Sequence, residues 1–247
     1  MNQLQPPHPT SVSVRLRAHL GLKLALAVGL NLWALLPYCL LQQHVFFPIT
    51  VMTPSAIDHW IPFNDKAIWL YLSLFLFAPI APMQMIGSDQ LCRYAFGVIA
   101  MSFAADLIFF FWPTAVMRPA TDGANGLYRY LTTLVNPLNA FPSLHAALAT
   151  YSALCWDQVF PMVRKPWIGG NAIWLWAIAI IYATLATKEH VVLDATAGIL
   201  LGLATYLLAF SQLKVLDRKV WLRLPHRRRS VRGEELSNRQ SEKLETL

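Results

Sequence analysis

Charge is scarce in this chain. Only 13% of its 247 residues are Asp, Glu, Lys or Arg, while 56% are hydrophobic. A soluble domain carries about 25% charged and about 45–50% apolar residues. The apolar residues also fall in long blocks, which favours a membrane protein over a large soluble core. Cysteine is rarer still, with 3 in the chain. Cys39, Cys92 and Cys155 are scattered, without the paired spacing of a metal site or a disulfide framework, and Cys39 and Cys155 sit in apolar runs as small hydrophobes. No internal repeat is evident. The net charge of +7 does not mark a nucleic-acid surface, because the basic residues lie between and after the apolar runs. The Arg227-Arg228-Arg229 cluster behind the last run reads as a cytoplasmic anchor touching anionic lipid.

Six apolar segments can be placed, at about 22–41, 67–86, 94–112, 144–160, 171–187 and 191–211, each near the roughly 17–25 residues that cross a bilayer. The fourth and fifth are the shortest. A backbone in lipid must satisfy its own hydrogen bonds, so the expected architecture is an all-α polytopic bundle of six transmembrane helices. The first segment follows a basic, polar stretch and no small-residue cleavage site follows it, so it reads as a retained anchor. The expected organisation is a cytoplasmic basic segment over 1–21, a six-span catalytic domain over 22–213 and a cytoplasmic basic and polar tail over 214–247.

Basic residues set an orientation. Arg15, Arg17, Lys23, Arg93, Arg164 and Lys165 fall on one side with Lys214, Arg218, Lys219 and Arg223, and the positive-inside rule makes that side cytoplasmic. The opposite loops hold Trp60, Asp65, Arg118, Asp122, Arg129, Lys188 and Glu189. Both termini are then cytoplasmic, in a layout that suits a bacterial inner membrane. The longest outer loop, about 113–143, carries Pro113, Pro119, Asn125-Gly126, Asn136-Pro137 and Pro142. Loops of that length between packed helices are commonly functional, and Tyr128-Arg129-Tyr130 argues against disorder.

Two segments at outer helix ends carry chemistry. Phe141-Pro142-Ser143-Leu144-His145 closes the long loop and opens the fourth span. Pro142 suits a helix start, and Ser143 with the first-turn amides presents donors and the positive helix end to an anion. Thr187-Lys188-Glu189-His190 and Asp194 open the sixth span on the same side. His190 and Asp194 are four apart, so on a helix they share a face. An Asp holding one imidazole nitrogen leaves the other free to attack. The competing readings are an interfacial packing histidine, a local structural His–Asp pair, and a zinc site that lacks a third strong ligand. Asp106, inside the third span, is a functional candidate or a partner for a polar group on another helix. Asp157 fits a boundary role, and Trp174 and Trp176 fit interfacial packing.

Taken together, Phe141-Pro-Ser-Leu-His145, Thr187-Lys-Glu-His190-x-x-x-Asp194 and the helix bearing Gly198 and Gly202 resemble the type 2 phosphatidic acid phosphatase superfamily, with closest likeness to the branch that includes inositol phosphorylceramide synthases. Arg118-Pro119 resembles the end of that family's first motif, and the motifs cover about 118–202. The resemblance implies a phosphatidic acid phosphatase type 2/haloperoxidase-like helical fold and a metal-independent reaction without cofactor on a lipid phosphate at the outer face. It implies that His190 attacks phosphorus to form a phosphohistidine, that Asp194 orients the ring, and that His145 protonates the leaving alcohol. Arg118, Ser143 and Lys188 would hold phosphate oxygens.

Three positions depart from the family pattern. Phe111 stands where a Lys is usual, Ala183-Thr184 where Ser-Arg is usual, and Leu144 where Gly is usual. Lys188 or Arg129 could replace the missing cations, as inferred from charge and side alone; Arg129 also reads as a snorkelling interfacial residue. Water or an alcohol could take the phosphoryl group, making the protein a lipid phosphate phosphatase or a head-group transferase. A transporter or lipid-binding protein using the His/Asp cluster as a proton relay, and a structural scaffold, are the readings from other classes.

Overall fold

The computed structural model describes residues 10–120, 124–164 and 169–223. Asp122, Lys165, the Arg227–Arg229 cluster and the rest of the tail lie outside them. The structure divides into a unit over Met1–Ala209 and a second over Phe210–Leu247.

Helices dominate the larger unit. A short α1 (Val12–Arg17) leads into α2 (Leu20–Gln43), and α3 (Ala56–Trp60) sits in the first connection. The next apolar run is broken into α4 (Ile68–Leu72), α5 (Leu74–Phe77) and α6 (Ile80–Gln84). Pro79 and Pro82 each remove a backbone donor there, and the Ser73 hydroxyl donates back to the Leu70 carbonyl at 2.6 Å. Beyond it come α7 (Ser88–Phe111), α8 (Gly126–Leu134), α9 (Leu144–Val159), α10 (Gly170–Ala186) and α11 (Val192–Arg223). The second unit continues α11 to Arg223.

Four segments are long and apolar enough to cross a membrane: Leu20–Gln43, Asp65–Gln84, Ser88–Phe111 and Val192–Phe210. The expected fourth and fifth spans are shorter helices of 16 and 17 residues. Apolar side chains face outward at a steady spacing, with Leu24, Val28, Leu32, Leu36 and Leu40 exposed on α2 and Phe96, Phe103, Leu107 and Phe111 exposed on α7. In water such stripes would be costly; against lipid chains they are the expected surface.

Arg15 on α1 and Lys23 in the first turn of α2 are buried, whereas Arg17 is exposed. Arg15 Nη1 donates to the Gln84 carbonyl at 2.8 Å, and Lys23 Nζ donates to the carbonyls of Arg15 and Met83 at 2.6 and 2.8 Å. The start of α2 and the end of α6 therefore meet at one end of the unit. A two-residue strand β1 (Thr10–Ser11) pairs there in parallel with β4 (Val163–Arg164). At the other end, β2 (Thr50–Val51) pairs in parallel with β3 (Thr114–Ala115), and Ala115 bridges Leu138. These contacts tie the long loop down, and its middle is helical rather than irregular. Tyr128, on α8, is fully buried and donates to the Thr187 carbonyl at 3.1 Å. Burial and then the Glu189 charge push its hydroxyl up to about 12, against the opposing pull of Arg118.

α9 is the central helix. Its lower half is held by hydroxyls: Tyr151 donates to the Arg93 and Tyr94 carbonyls at 3.2 Å, and Tyr94 donates to the Ala78 carbonyl at 2.9 Å. Trp174 Nε1 donates to Asp157 at 3.0 Å, which ties α9 to α10. Trp176, expected at an interface, instead packs inward on Phe77 and donates to the Ser73 hydroxyl at 2.8 Å. Cys155 is buried, whereas Cys39 faces outward.

The upper half of α9 meets α11 backbone to backbone. A Cβ on Gly198 would overlap the Ser143 carbonyl oxygen, and one on Gly202 would overlap the Ala147 carbonyl oxygen. Small residues four apart let two helices approach closely within a membrane. Gly198→Ala forces the start of α9 away from α11, at a cost of about 1–3 kcal/mol. Thermal unfolding in detergent should show the loss, and activity should fall with it because Ser143 and His145 move.

Candidate active site

Ser143, at the start of α9, is fully buried and caps the helix by accepting from the Ala146 amide at 3.3 Å. Its own amide donates to the Asp194 carbonyl at 3.0 Å. The expected anion cradle thus loses the Ser143 amide to α11 and the Ala146 amide to the cap, and keeps the hydroxyl proton and the first-turn amides of Leu144 and His145.

His145, one residue into α9, stacks on Tyr71 of α4 with ring centroids 3.9 Å apart and planes 19° from parallel. Phe75 meets it edge-on at 6.5 Å. Two aromatic walls therefore fix the ring, and its Nε2 has no hydrogen-bond partner. His190 faces it at 6.5 Å between centroids. That separation is too long for a direct bond between the rings and short enough for both to act on one tetrahedral group.

His190 differs from expectation in two ways. It precedes α11 rather than riding on it, because the turn after α10 is a left-handed cap. Lys188 takes φ 57°, and the amides of Glu189 and His190 both donate to the Thr184 carbonyl, at 3.2 and 3.1 Å. Thr184, where the family pattern places an Arg, thus organises the turn through its backbone. Secondly, the Asp194 carboxylate does not hydrogen-bond the imidazole. His190 Nδ1 lies 3.0 Å from the Ala140 carbonyl and 3.7 Å from Asp194 Oδ2. A carbonyl can only accept, so Nδ1 carries the proton and Nε2 keeps its lone pair. The fully buried Asp194 accepts from the Val191 amide at 3.0 Å and supplies negative charge beside the ring rather than a bond to it.

The expected phosphate-binding cations are held differently from one another. Arg118 Nη1 donates to the Val135 carbonyl at 2.6 Å, Nη2 pairs with Glu189, and Nε has no partner. Glu189 directly precedes His190, so its ion pair holds the Arg118 guanidinium at the turn that carries the imidazole. Lys188 points elsewhere: its ammonium donates to the carbonyls of Asp58 and Ile61 at 3.0 and 2.6 Å. Arg129 is exposed on α8, away from buried Tyr128. Phe111, at the family's Lys position, is also exposed. Of the four polar candidates, Arg118 and Ser143 join the histidines and Lys188 and Arg129 do not. Lys188→Met should lower stability by about 1–3 kcal/mol, by leaving two carbonyls short of a donor, and should leave the activity of the folded protein within about threefold. Unfolding and rate measurements on the same preparation separate the two effects.

Two residues of the site were not anticipated. Tyr71 is one. The other is Asp58, buried on α3, whose carboxylate accepts from the Ser55 amide and hydroxyl at 2.7 and 2.6 Å and from the Val192 amide at 2.8 Å. It caps α3 and α11 together. Burial alone would raise its pKa, but the Ser55 and Val192 hydrogen bonds and the nearby Lys188 charge hold it below the usual carboxylate range. Ser55-x-x-Asp58 is a capping box legible in sequence; its reach to α11 is not. Among the described residues nothing bonds the Oδ1 of Asp106, which is buried on α7. Among the described residues no three His, Cys, Asp or Glu side chains cluster as a metal site.

A family model described as PAP2 superfamily matches residues 90–218, which hold Arg118, Ser143, His145, Glu189, His190 and Asp194. No curated protein and no solved structure matches the chain.

Proposed function

Since the chain belongs to the PAP2 superfamily, whose members are generally phosphoesterases and phosphotransferases, we propose that it cleaves or transfers a lipid phosphate ester through a phosphohistidine on His190. One observation carries this reading. His190 has its Nδ1 proton committed to the Ala140 carbonyl and its Nε2 lone pair free, and His145 faces it across 6.5 Å.

In the first half-reaction His190 Nε2 attacks phosphorus and the bond to the leaving oxygen breaks. His145, which takes up a proton as the phosphate anion settles beside it, gives that oxygen the proton, so the alcohol departs neutral. The phosphorylated imidazole, still protonated on Nδ1, bears positive charge, which the Asp194 carboxylate at 3.7 Å offsets without taking the proton. In the second half-reaction neutral His145 removes a proton from water or an acceptor alcohol. That oxygen attacks phosphorus, the P–N bond breaks, and both rings return to their starting states. The hydroxyl of Ser143, the first-turn amides of α9 and the Nε–H of Arg118 hold the remaining phosphate oxygens. Lys188 and Arg129 have no part in that cradle.

The acceptor is read as an alcohol of the kind used by inositol phosphorylceramide synthase-like enzymes as readily as water. Deep burial favours the transfer branch: His190 is 7% exposed and Ser143 fully buried, which limits access of bulk water. The membrane account is six spans, with α9 and α10 as the short pair, both termini cytoplasmic and the histidines at the outer face, as in a bacterial inner membrane. The distribution of Arg and Lys supports it. A Cys at Trp60, 80% exposed on the first outer connection, should react with an impermeant maleimide from outside intact cells in an otherwise Cys-free chain. Reaction from the cytoplasmic side alone would reverse the orientation.

The activity test uses purified protein in detergent, a panel of lipid phosphates, and EDTA. Turnover that survives EDTA and disappears in His190→Ala and His145→Ala supports the enzyme reading. Undiminished turnover in both variants, or a transmembrane gradient requirement without phosphate chemistry, would contradict it.

A further inference from the structure

Glu189 lies next to the nucleophile, is 7% exposed, and has one carboxylate oxygen on Arg118 and the other, Oε1, buried without a partner. A carboxylate beside a phosphate-binding arginine needs a reason, because it repels the ligand that the arginine attracts. The charge balance around the two histidines supplies one. Among the described residues Arg118 is the one side chain of fixed positive charge brought to the site, since Lys188 is bound to carbonyls and the positions of Phe111 and Thr184 are neutral, and His145 is charged only while it holds the leaving group's proton. Against it stand two buried carboxylates, Glu189 and Asp194. A phosphomonoester entering such a site at neutral pH brings about two negative charges, whereas a phosphodiester brings one.

We propose that Glu189 is a specificity-determining residue that, through its pairing with Arg118, makes the site prefer a lipid phosphodiester to a phosphomonoester. This rests on the phosphoryl-transfer reading above. The backbone couples the two functions: the Thr184 carbonyl holds the amides of both Glu189 and His190, so the carboxylate that sets the charge and the imidazole that attacks sit in one rigid turn. The guanidinium is fixed on two sides, by Glu189 and the Val135 carbonyl, which leaves its unpartnered Nε–H for one phosphate oxygen. Groups bearing on the Glu189 carboxylate are Arg118, Tyr38, Tyr71 and Tyr128. None of the three phenols adds a positive charge that would restore affinity for a dianion.

The test compares kcat/KM for dioleoyl phosphatidylglycerol and dioleoyl phosphatidic acid in matched detergent micelles at pH 8, with both lipids followed by mass spectrometry. The wild-type protein should prefer the diester. Glu189→Gln keeps the shape and one hydrogen bond to Arg118 but removes the charge, and should shift the ratio toward the monoester by about tenfold. The ratio is internal to each variant, so partial loss of folded protein does not alter it. A second measurement needs no variant. The monoester's second proton binds near pH 6, so the wild-type preference should shrink between pH 8 and pH 5. A wild-type preference for phosphatidic acid at pH 8, or a ratio unchanged in Glu189→Gln and across pH, would overturn the assignment while leaving phosphoryl transfer intact. Turnover of neither lipid in a His190-dependent manner would overturn both.

Discussion

His190→Ala should lower turnover of any lipid phosphate by on the order of 10,000-fold or more, with KM changed little. Removing a nucleophile forfeits the covalent route entirely, and what remains is the charge stabilisation and positioning supplied by the rest of the site. Substrate binding should persist because Arg118, Ser143 and the first-turn amides of α9 are untouched. Local structure should persist too, since the amide of residue 190 keeps its bond to the Thr184 carbonyl whatever the side chain. Ala140 loses a donor to its carbonyl, at about 1–2 kcal/mol, which a melting curve can check. A much smaller loss of rate, with the protein folded, would mean that the imidazole only packs.

His145→Ala should cost about 100- to 10,000-fold on a lipid alcohol, the usual contribution of a positioned acid–base group. The defect should depend on the leaving group. An ester of a phenol as acidic as p-nitrophenol departs without a proton, so formation of the covalent intermediate should be nearly normal with that substrate. The second half-reaction still lacks its base. The variant should therefore release about one equivalent of p-nitrophenol in a burst and then stall with phosphorus on His190. Equal defects on both substrates and no burst would assign His145 a purely structural place against Tyr71.

The most legible parts of this protein in sequence were those governed by local pattern. Long apolar runs announced α2, α7 and α11, and Pro-Ser at the head of an apolar segment announced the start of α9. The interrupted helix through α4, α5 and α6 was hidden, although Pro79 and Pro82 stood in view, because hydropathy averages over a break that proline imposes. The partner of the His190 ring is hidden in sequence for a related reason. A spacing of four implies a shared face only if both residues are helical, and the Lys188 turn puts the helix start two residues after the histidine. The group that fixes the ring is a backbone carbonyl 50 residues away, which no side-chain pattern encodes.

Tyr71 and Asp58 illustrate the same limit. Each has an ordinary local reading, an aromatic in an apolar run and a cap on a short helix. Each acquires its role only when another element packs against it. Lys188 goes the other way: its charge and position nominate it for phosphate, yet its ammonium is bound by the Asp58 and Ile61 carbonyls of the connection between α2 and α4. Gly198 and Gly202 were visible as a pair of small residues four apart; their partners, the carbonyls of Ser143 and Ala147, were not.

The central claim is that phosphorus passes through His190, and the stereochemical course at phosphorus tests it most directly. A lipid phosphate made chiral with oxygen isotopes, turned over by the wild-type protein, should give product with retained configuration. Two successive in-line displacements each invert the centre, whether or not the intermediate accumulates. Inverted product would mean a single direct attack by water or the acceptor alcohol, and would contradict the phosphohistidine account.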